Sequence, residues 1–344
     1  MKLARGAQRT LFRMRTALLA AVVFMLTVAC GGDSEPRAAR SSPTPRIETT
    51  TPAATPASAV SARAPGCGKS SAGGPSLRTI ASDGLQRTFR VFVPVSYRAD
   101  QPTAVFLNYH GFAGESEGQE WYVGLRDAAT RFGFIAVTPD GSGDPQRWYL
   151  AGAGTPDYVD DLAFTRRMLD DLASAYCVDP ARVYAAGISN GGFFSSVAAC
   201  EMQDRIAAIA TVAGEGFPDE TCRGKQPVPV LVFHGTADAT VPFEPPPGRQ
   251  RLGITVRSTR DSVAAWARFN GCNATAREQR PAADIVFVTY DGCQARADVQ
   301  LYIVEGGGHS WPGAPAVEIL GHTTQSVNAT ELMWRFFEAH SRRP

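Results

Sequence analysis

The stretch Val183-Tyr184-Ala185-Ala186-Gly187-Ile188-Ser189-Asn190-Gly191-Gly192-Phe193-Phe194-Ser195-Ser196-Val197-Ala198-Ala199 decides the reading of this chain. Its middle, 187–191, is a G-x-S-x-G pattern. A short apolar run precedes it and an alanine-rich run of helical character follows. The pattern therefore sits on a strand–turn–helix unit, the context in which a serine is lifted out of a sheet. Glycines flank the serine because a side chain on either side would collide with its neighbours in so tight a turn. The same turn sets the Ser189 hydroxyl at a helix N-terminus, where free N–H groups and the helix dipole favour developing negative charge. Ser189 is the candidate nucleophile.

Further elements alternate around this unit. Short apolar runs at 103–109, 134–137, 182–186, 206–212 and 228–233 predict strands, as do 87–93, 285–290 and 299–304. Helical spacing predicts helices over 118–131, 160–175, 191–200, 258–269 and 329–340. Strands alternating with helices imply an α/β fold, with a mostly parallel sheet covered by helices on both faces. Such sheets place their sites at the carboxyl ends of the strands.

A serine hydroxyl needs a base, and the base needs an orienting acid. For a nucleophile on this turn the chain order is serine, acid, histidine. His309 lies in a glycine-rich loop, 305–313, directly after a predicted strand. His340 lies near the chain's end and reads as solvated, and His322 reads as part of a helix-entry loop. Among the acids between Ser189 and His309, Asp238 directly follows the buried run 229–233, so Asp238 is the candidate orienting acid. His234 reads as a packed, hydrogen-bonded loop residue. The oxyanion of acyl transfer needs two backbone donors. The N–H of Asn190 is one, and the loop after 103–109 supplies the other, assigned to Phe112. His110 then shapes that loop. Trp148 and Trp311 are candidate pocket walls, and Asp160 and Asp161 candidate caps of the helix that follows.

The N-terminus carries an address. Residues 1–29 hold Lys2, Arg5, Arg9, Arg13 and Arg15, no acid, and an apolar stretch too short to span a bilayer. Basic, apolar and then small residues make a secretory signal peptide. Ala29-Cys30 resembles a bacterial lipobox, which makes Cys30 the expected lipidation site and the membrane a partner through that anchor. Plain cleavage after Ala29 is the alternative. Residues 31–66 hold six Pro, ten Ser or Thr and no aromatic residue, so they are expected to form a disordered tether spanning roughly 30–36 Å. The domain is expected over 67–344. Cys30 aside, six cysteines remain. In an exported protein an even number favours disulfides. Short loops favour Cys200–Cys222 and Cys272–Cys293, which leaves Cys67–Cys177. No metal-ligand spacing is present. The formal net charge of +1 makes no case for nucleic acid.

Together, several segments resemble the polyhydroxybutyrate depolymerase / feruloyl esterase family of secreted α/β-hydrolases. They are His110-Gly111, Val159-Asp160-Asp161, Cys177-Val178-Asp179-Pro180-Ala181-Arg182-Val183-Tyr184, 187–192 with Cys200, His234-Gly235-Thr236-Ala237-Asp238, and 306–313. The resemblance runs from about Gly66 to the C-terminus. It implies an α/β-hydrolase fold and a cofactor-free esterase with the triad Ser189, Asp238 and His309. It leaves open polyester, feruloyl and acetyl substrates. A serine peptidase on the same fold and an inactive cell-surface binding protein are the competing readings.

Overall fold

The computed structural model describes residues 64–150, 158–218, 222, 224–251 and 254–342. The expected signal peptide, Cys30 and nearly all of the expected tether lie outside these residues. In chain order the strands are β1 (Gly74–Ser82), β2 (Leu85–Val93), β3 (Thr103–Tyr109), β4 (Ile135–Pro139), β5 (Val178–Ile188), β6 (Ala208–Val212), β7 (Val230–Gly235), β8 (Gln250–Arg251), β9 (Ile254–Thr255), β10 (Arg277–Ala282), β11 (Ile285–Tyr290) and β12 (Val299–Val304). The helices are α1 (Ser116–Tyr122), α2 (Leu125–Phe132), α3 (Asp161–Ala175), α4 (Asn190–Glu201), α5 (Thr259–Phe269) and α6 (Ala329–Glu338).

Ten strands form one sheet in the order β1-β2-β4-β3-β5-β6-β7-β12-β11-β10. The run from β4 to β12 is parallel throughout. Antiparallel strands close both edges: β1 and β2 on one side, β11 and β10 on the other. Every residue of β3, β4, β6 and β7 is buried. Helices cover both faces of these strands, which is why they read as unbroken apolar runs. Val105, Leu107 and Val183 face a core shared with α3, α4 and α5; Phe106, Ala136 and Leu231 face a second core shared with α2 and α6. The helix expected over 118–131 is two. Gly124 adopts φ 64° between α1 and α2, a left-handed conformation that ends one helix and starts the next.

Two strands escape the apolar pattern. β1 is largely exposed and pairs with β2 through an Asp83-Gly84 turn with positive φ at both residues. β10 buries no residue and carries Arg277, Gln279 and Arg280. Edge strands bury little, so they leave little hydrophobic trace.

Three disulfides join Cys67 to Cys177, Cys200 to Cys222 and Cys272 to Cys293. The first closes the longest loop, with a separation of 110 residues. A cross-link stabilises chiefly by restricting the unfolded chain, and more so for long loops. The Cys67→Ser/Cys177→Ser double variant should therefore lose about 4 kcal/mol of unfolding free energy. Denaturant titration checks this; an unchanged midpoint would show that the link adds nothing.

Candidate active site

Ser189 lies between β5 and α4 with φ 55° and ψ −121°. A non-glycine residue holds such a conformation only where its surroundings impose it. Here the Ser189 N–H donates to the Val212 carbonyl at 2.9 Å, and its own carbonyl accepts from Phe193 N–H at 3.0 Å. The turn is wedged against the end of β3: a Cβ on Gly191 would lie 2.3 Å from the Tyr109 oxygen and 2.5 Å from that of His110. The glycine is thus required by close approach of two backbones.

The loop after β3 abuts the serine, since a Cβ on Gly111 would lie 3.4 Å from Ser189 Cβ. Ala113 N–H is bonded to the Gln146 carbonyl and Gly114 N–H to that of Gly111. Among the described residues the N–H groups of Phe112 and Asn190 make no such backbone bond. His110 is buried and holds the loop: Nε2 accepts from Gly141 N–H at 2.9 Å, and Nδ1 donates to the Gly111 carbonyl at 2.7 Å. Burial pushes its pKa below the ordinary histidine value, as suits this neutral tautomer.

Asp238 follows β7. Its Oδ1 accepts from the N–H groups of Thr240 and Val241 at 2.7 and 2.8 Å. Its Oδ2 accepts from His309 Nδ1 at 2.7 Å. Burial opposes ionisation of this carboxyl, but hydrogen bonds from His234 and His309 outweigh it and hold the carboxyl well below the usual range. His309 stands on the loop after β12. That loop rests on the His322 carbonyl, which accepts from Gly308 N–H at 2.8 Å and Ser310 Oγ at 3.0 Å. A Cβ on Gly308 would lie 2.2 Å from the Leu320 oxygen, so this approach also demands glycine. Ser189, Asp238 and His309 therefore share the carboxyl end of the parallel strands. Asp238 and His309 are in direct contact; Ser189 Oγ and His309 are not hydrogen bonded to each other.

Several other residues take places the sequence does not foretell. Trp148 and Trp311 are each 1% exposed, so both belong to the core rather than to an open pocket wall. Trp148 stacks on Phe194 and donates from Nε1 to the His110 carbonyl. Trp311 donates to Thr330 Oγ1. The Asn190 side chain clamps the Trp148 backbone, accepting from its N–H at 2.7 Å and donating to its carbonyl at 2.9 Å. Asp160 caps α3 as expected, while Asp161 does not and turns inward to a buried ion pair with Arg87 at 2.8 Å. His340 is buried, not solvated, and bonds the Phe336 carbonyl. His234 lies on β7 rather than in a loop and contacts Glu215, a residue with no motif to mark it.

No family model matches the chain. It is 32% identical over 225 residues to Feruloyl esterase B of Piromyces equi, covering 63% of this chain and 41% of that protein, so it spans less than half of that relative's length. It is 32% identical over 282 residues to "Putative esterase NocK" of Nocardia uniformis subsp. tsuyamanensis, covering 74% of this chain and 80% of that one. In fold it is similar to an acetyl xylan esterase from Aspergillus awamori, with a TM-score of 0.52 at 14% identity, covering 68% of this chain and 94% of that one. With its own parallel sheet and a strained serine turn at the sheet's carboxyl end, the chain belongs to the feruloyl esterase and polyhydroxybutyrate depolymerase-like family of α/β-hydrolases.

Proposed function

We propose that the protein is a serine carboxylic-ester hydrolase that uses Ser189, His309 and Asp238 as its triad. The observation that carries the reading is the 2.7 Å bond between His309 Nδ1 and Asp238 Oδ2. It fixes the tautomer that leaves Nε2 unprotonated and able to take the serine proton. Ser189 Oγ attacks the ester carbonyl as its proton passes to His309. The oxyanion is met by the N–H groups of Phe112 and Asn190. His309 returns the proton to the departing alcohol, and water then repeats the sequence on the acyl-enzyme. No cofactor takes part in these steps.

Feruloyl-type esters are the first substrate class to test, on the strength of the 32% identity to Feruloyl esterase B. Purified protein and its Ser189→Ala variant should be assayed on methyl ferulate, p-nitrophenyl butyrate, acetylated xylan, a hydroxybutyrate oligomer and a peptide amide. Ser189-dependent ester turnover supports the proposal, and the best substrate sets its branch. Turnover of the amide alone would make the protein a peptidase. Equal, background rates for both proteins on every substrate would make it a binding protein. We place the mature protein outside the cytoplasm, anchored by lipid at Cys30; the three disulfides support an oxidising destination.

Because Phe112 donates through its backbone, its side chain is dispensable for the chemistry. It is 45% exposed. Phe112→Ala should keep kcat within about threefold, whereas loss of an oxyanion donor costs about 10²- to 10³-fold. Steady-state kinetics distinguish the two; a hundredfold fall in kcat would assign the phenyl ring a direct role.

A further inference from the structure

We propose that His234 is a buried imidazolium, held protonated by Glu215, that positions Asp238 for His309. The inference rests on Asp238 and His309 being the acid–base pair. The His234 side chain is fully buried. Its Nε2 lies 2.8 Å from the Val241 carbonyl, which only accepts. Its Nδ1 lies 2.8 and 3.0 Å from the two Glu215 oxygens, and an ionised carboxylate also only accepts. Each ring nitrogen must then carry a hydrogen. The Thr259 hydroxyl, 2.9 Å from Nδ1, is a second acceptor for that proton.

The charged groups facing the ring are Glu215, from the loop after β6, and Asp238, whose Oδ2 lies 3.4 Å from Nε2. From the other sides come the Thr259 hydroxyl on α5, the Phe243 ring edge-on at 5.7 Å and Ile303 in register on β12. Burial disfavours the cation, but the two carboxylates prevail and raise the imidazole pKa to about 10. The ring grips the 238–241 turn twice. It holds the Val241 carbonyl, while the Val241 N–H holds Asp238 Oδ1. It also sets a positive charge beside Oδ2, the oxygen that receives His309. His234 touches no substrate in this reading and is a positioning residue.

Nitrogen-15 NMR of the histidine-labelled protein tests the charge. One ring, identified by its loss in His234→Gln, should remain doubly protonated at pH 8, where an ordinary histidine is neutral. The same spectrum on the Ser189→Ala variant reads this without turnover, so failure of the esterase assignment stays separate from failure of this one. In Glu215→Gln the amide keeps the shape and removes the charge. Its kcat should fall about 10- to 100-fold at little-changed KM, as expected for a displaced acid. A His234 ring neutral at pH 8 would overturn the proposal, as would a Glu215→Gln enzyme with unchanged kcat. Should Glu215→Gln fail to fold, the spectrum of the native protein decides alone.

Discussion

Replacing Ser189 by alanine should lower ester turnover by about 10⁴- to 10⁶-fold, the range found when a triad nucleophile is removed. The fold should survive. Alanine holds a positive φ at three other places among the described residues, Ala113 at 62°, Ala213 at 49° and Ala295 at 53°. The backbone bonds that hold residue 189, to Val212 and Phe193, do not involve its side chain. Among the described residues Oγ makes no hydrogen bond, so its removal leaves no orphaned partner there. The melting temperature should therefore stay within about 2 °C of the parent. A folded variant with parental turnover would put the chemistry elsewhere. An unfolded one would show that the turn requires the hydroxyl.

Asp238→Asn should cost about 10⁴-fold in kcat, for a reason visible in the hydrogen bonds. Oδ1 is committed to two N–H donors, Thr240 and Val241. An asparagine must keep its carbonyl oxygen there, which turns its NH2 toward His309. His309 Nδ1 then becomes an acceptor and Nε2 holds the proton, the tautomer that cannot take a proton from Ser189. The NH2 also faces the His234 ring, which loses an anionic neighbour. Stability should fall by about 1–3 kcal/mol at neutral pH. The pH dependence has a defined sign. Asp238 is depressed in the folded protein, so its contribution is present above the ordinary carboxylate pKa of about 4 and is lost as pH falls toward its folded value. The parent should therefore lose more stability than the variant on acidification below about pH 4. Denaturant titrations at pH 7 and pH 3 measure the difference; equal losses would mean that the Asp238 carboxyl is not depressed.

The residues that were readable from sequence are those whose role is local. β3, β11 and β12 coincide with the expected runs 103–109, 285–290 and 299–304 because each is apolar from end to end or nearly so. Ser189, Asp238 and His309 each follow a buried strand, and that adjacency is written along the chain. β1 leaves no such trace although Asp83-Gly84 is a strong hairpin signal, because its mostly exposed residues lack an apolar run. The split between α1 and α2 depends on one glycine within an otherwise helical pattern. Glu215 could not be found: it meets His234 only because β6 and β7 pair in the sheet. Trp148 and Trp311 lie near the site, yet proximity does not say which way a side chain turns, and both turn into the core.

The Cys67–Cys177 bond has a mechanical consequence. Cys67 precedes β1, an edge strand, and Cys177 immediately precedes β5, a strand in the interior of the sheet. Tension arriving from residues before Cys67 passes through the covalent bridge directly to the start of β5. It therefore bypasses β1, whose ladder to β2 would otherwise unzip one hydrogen bond at a time. Neighbours on both sides grip β5, in register with β3 and β6. A pull along that strand must shear many bonds at once, so the molecule bears load through a strand anchored on both sides.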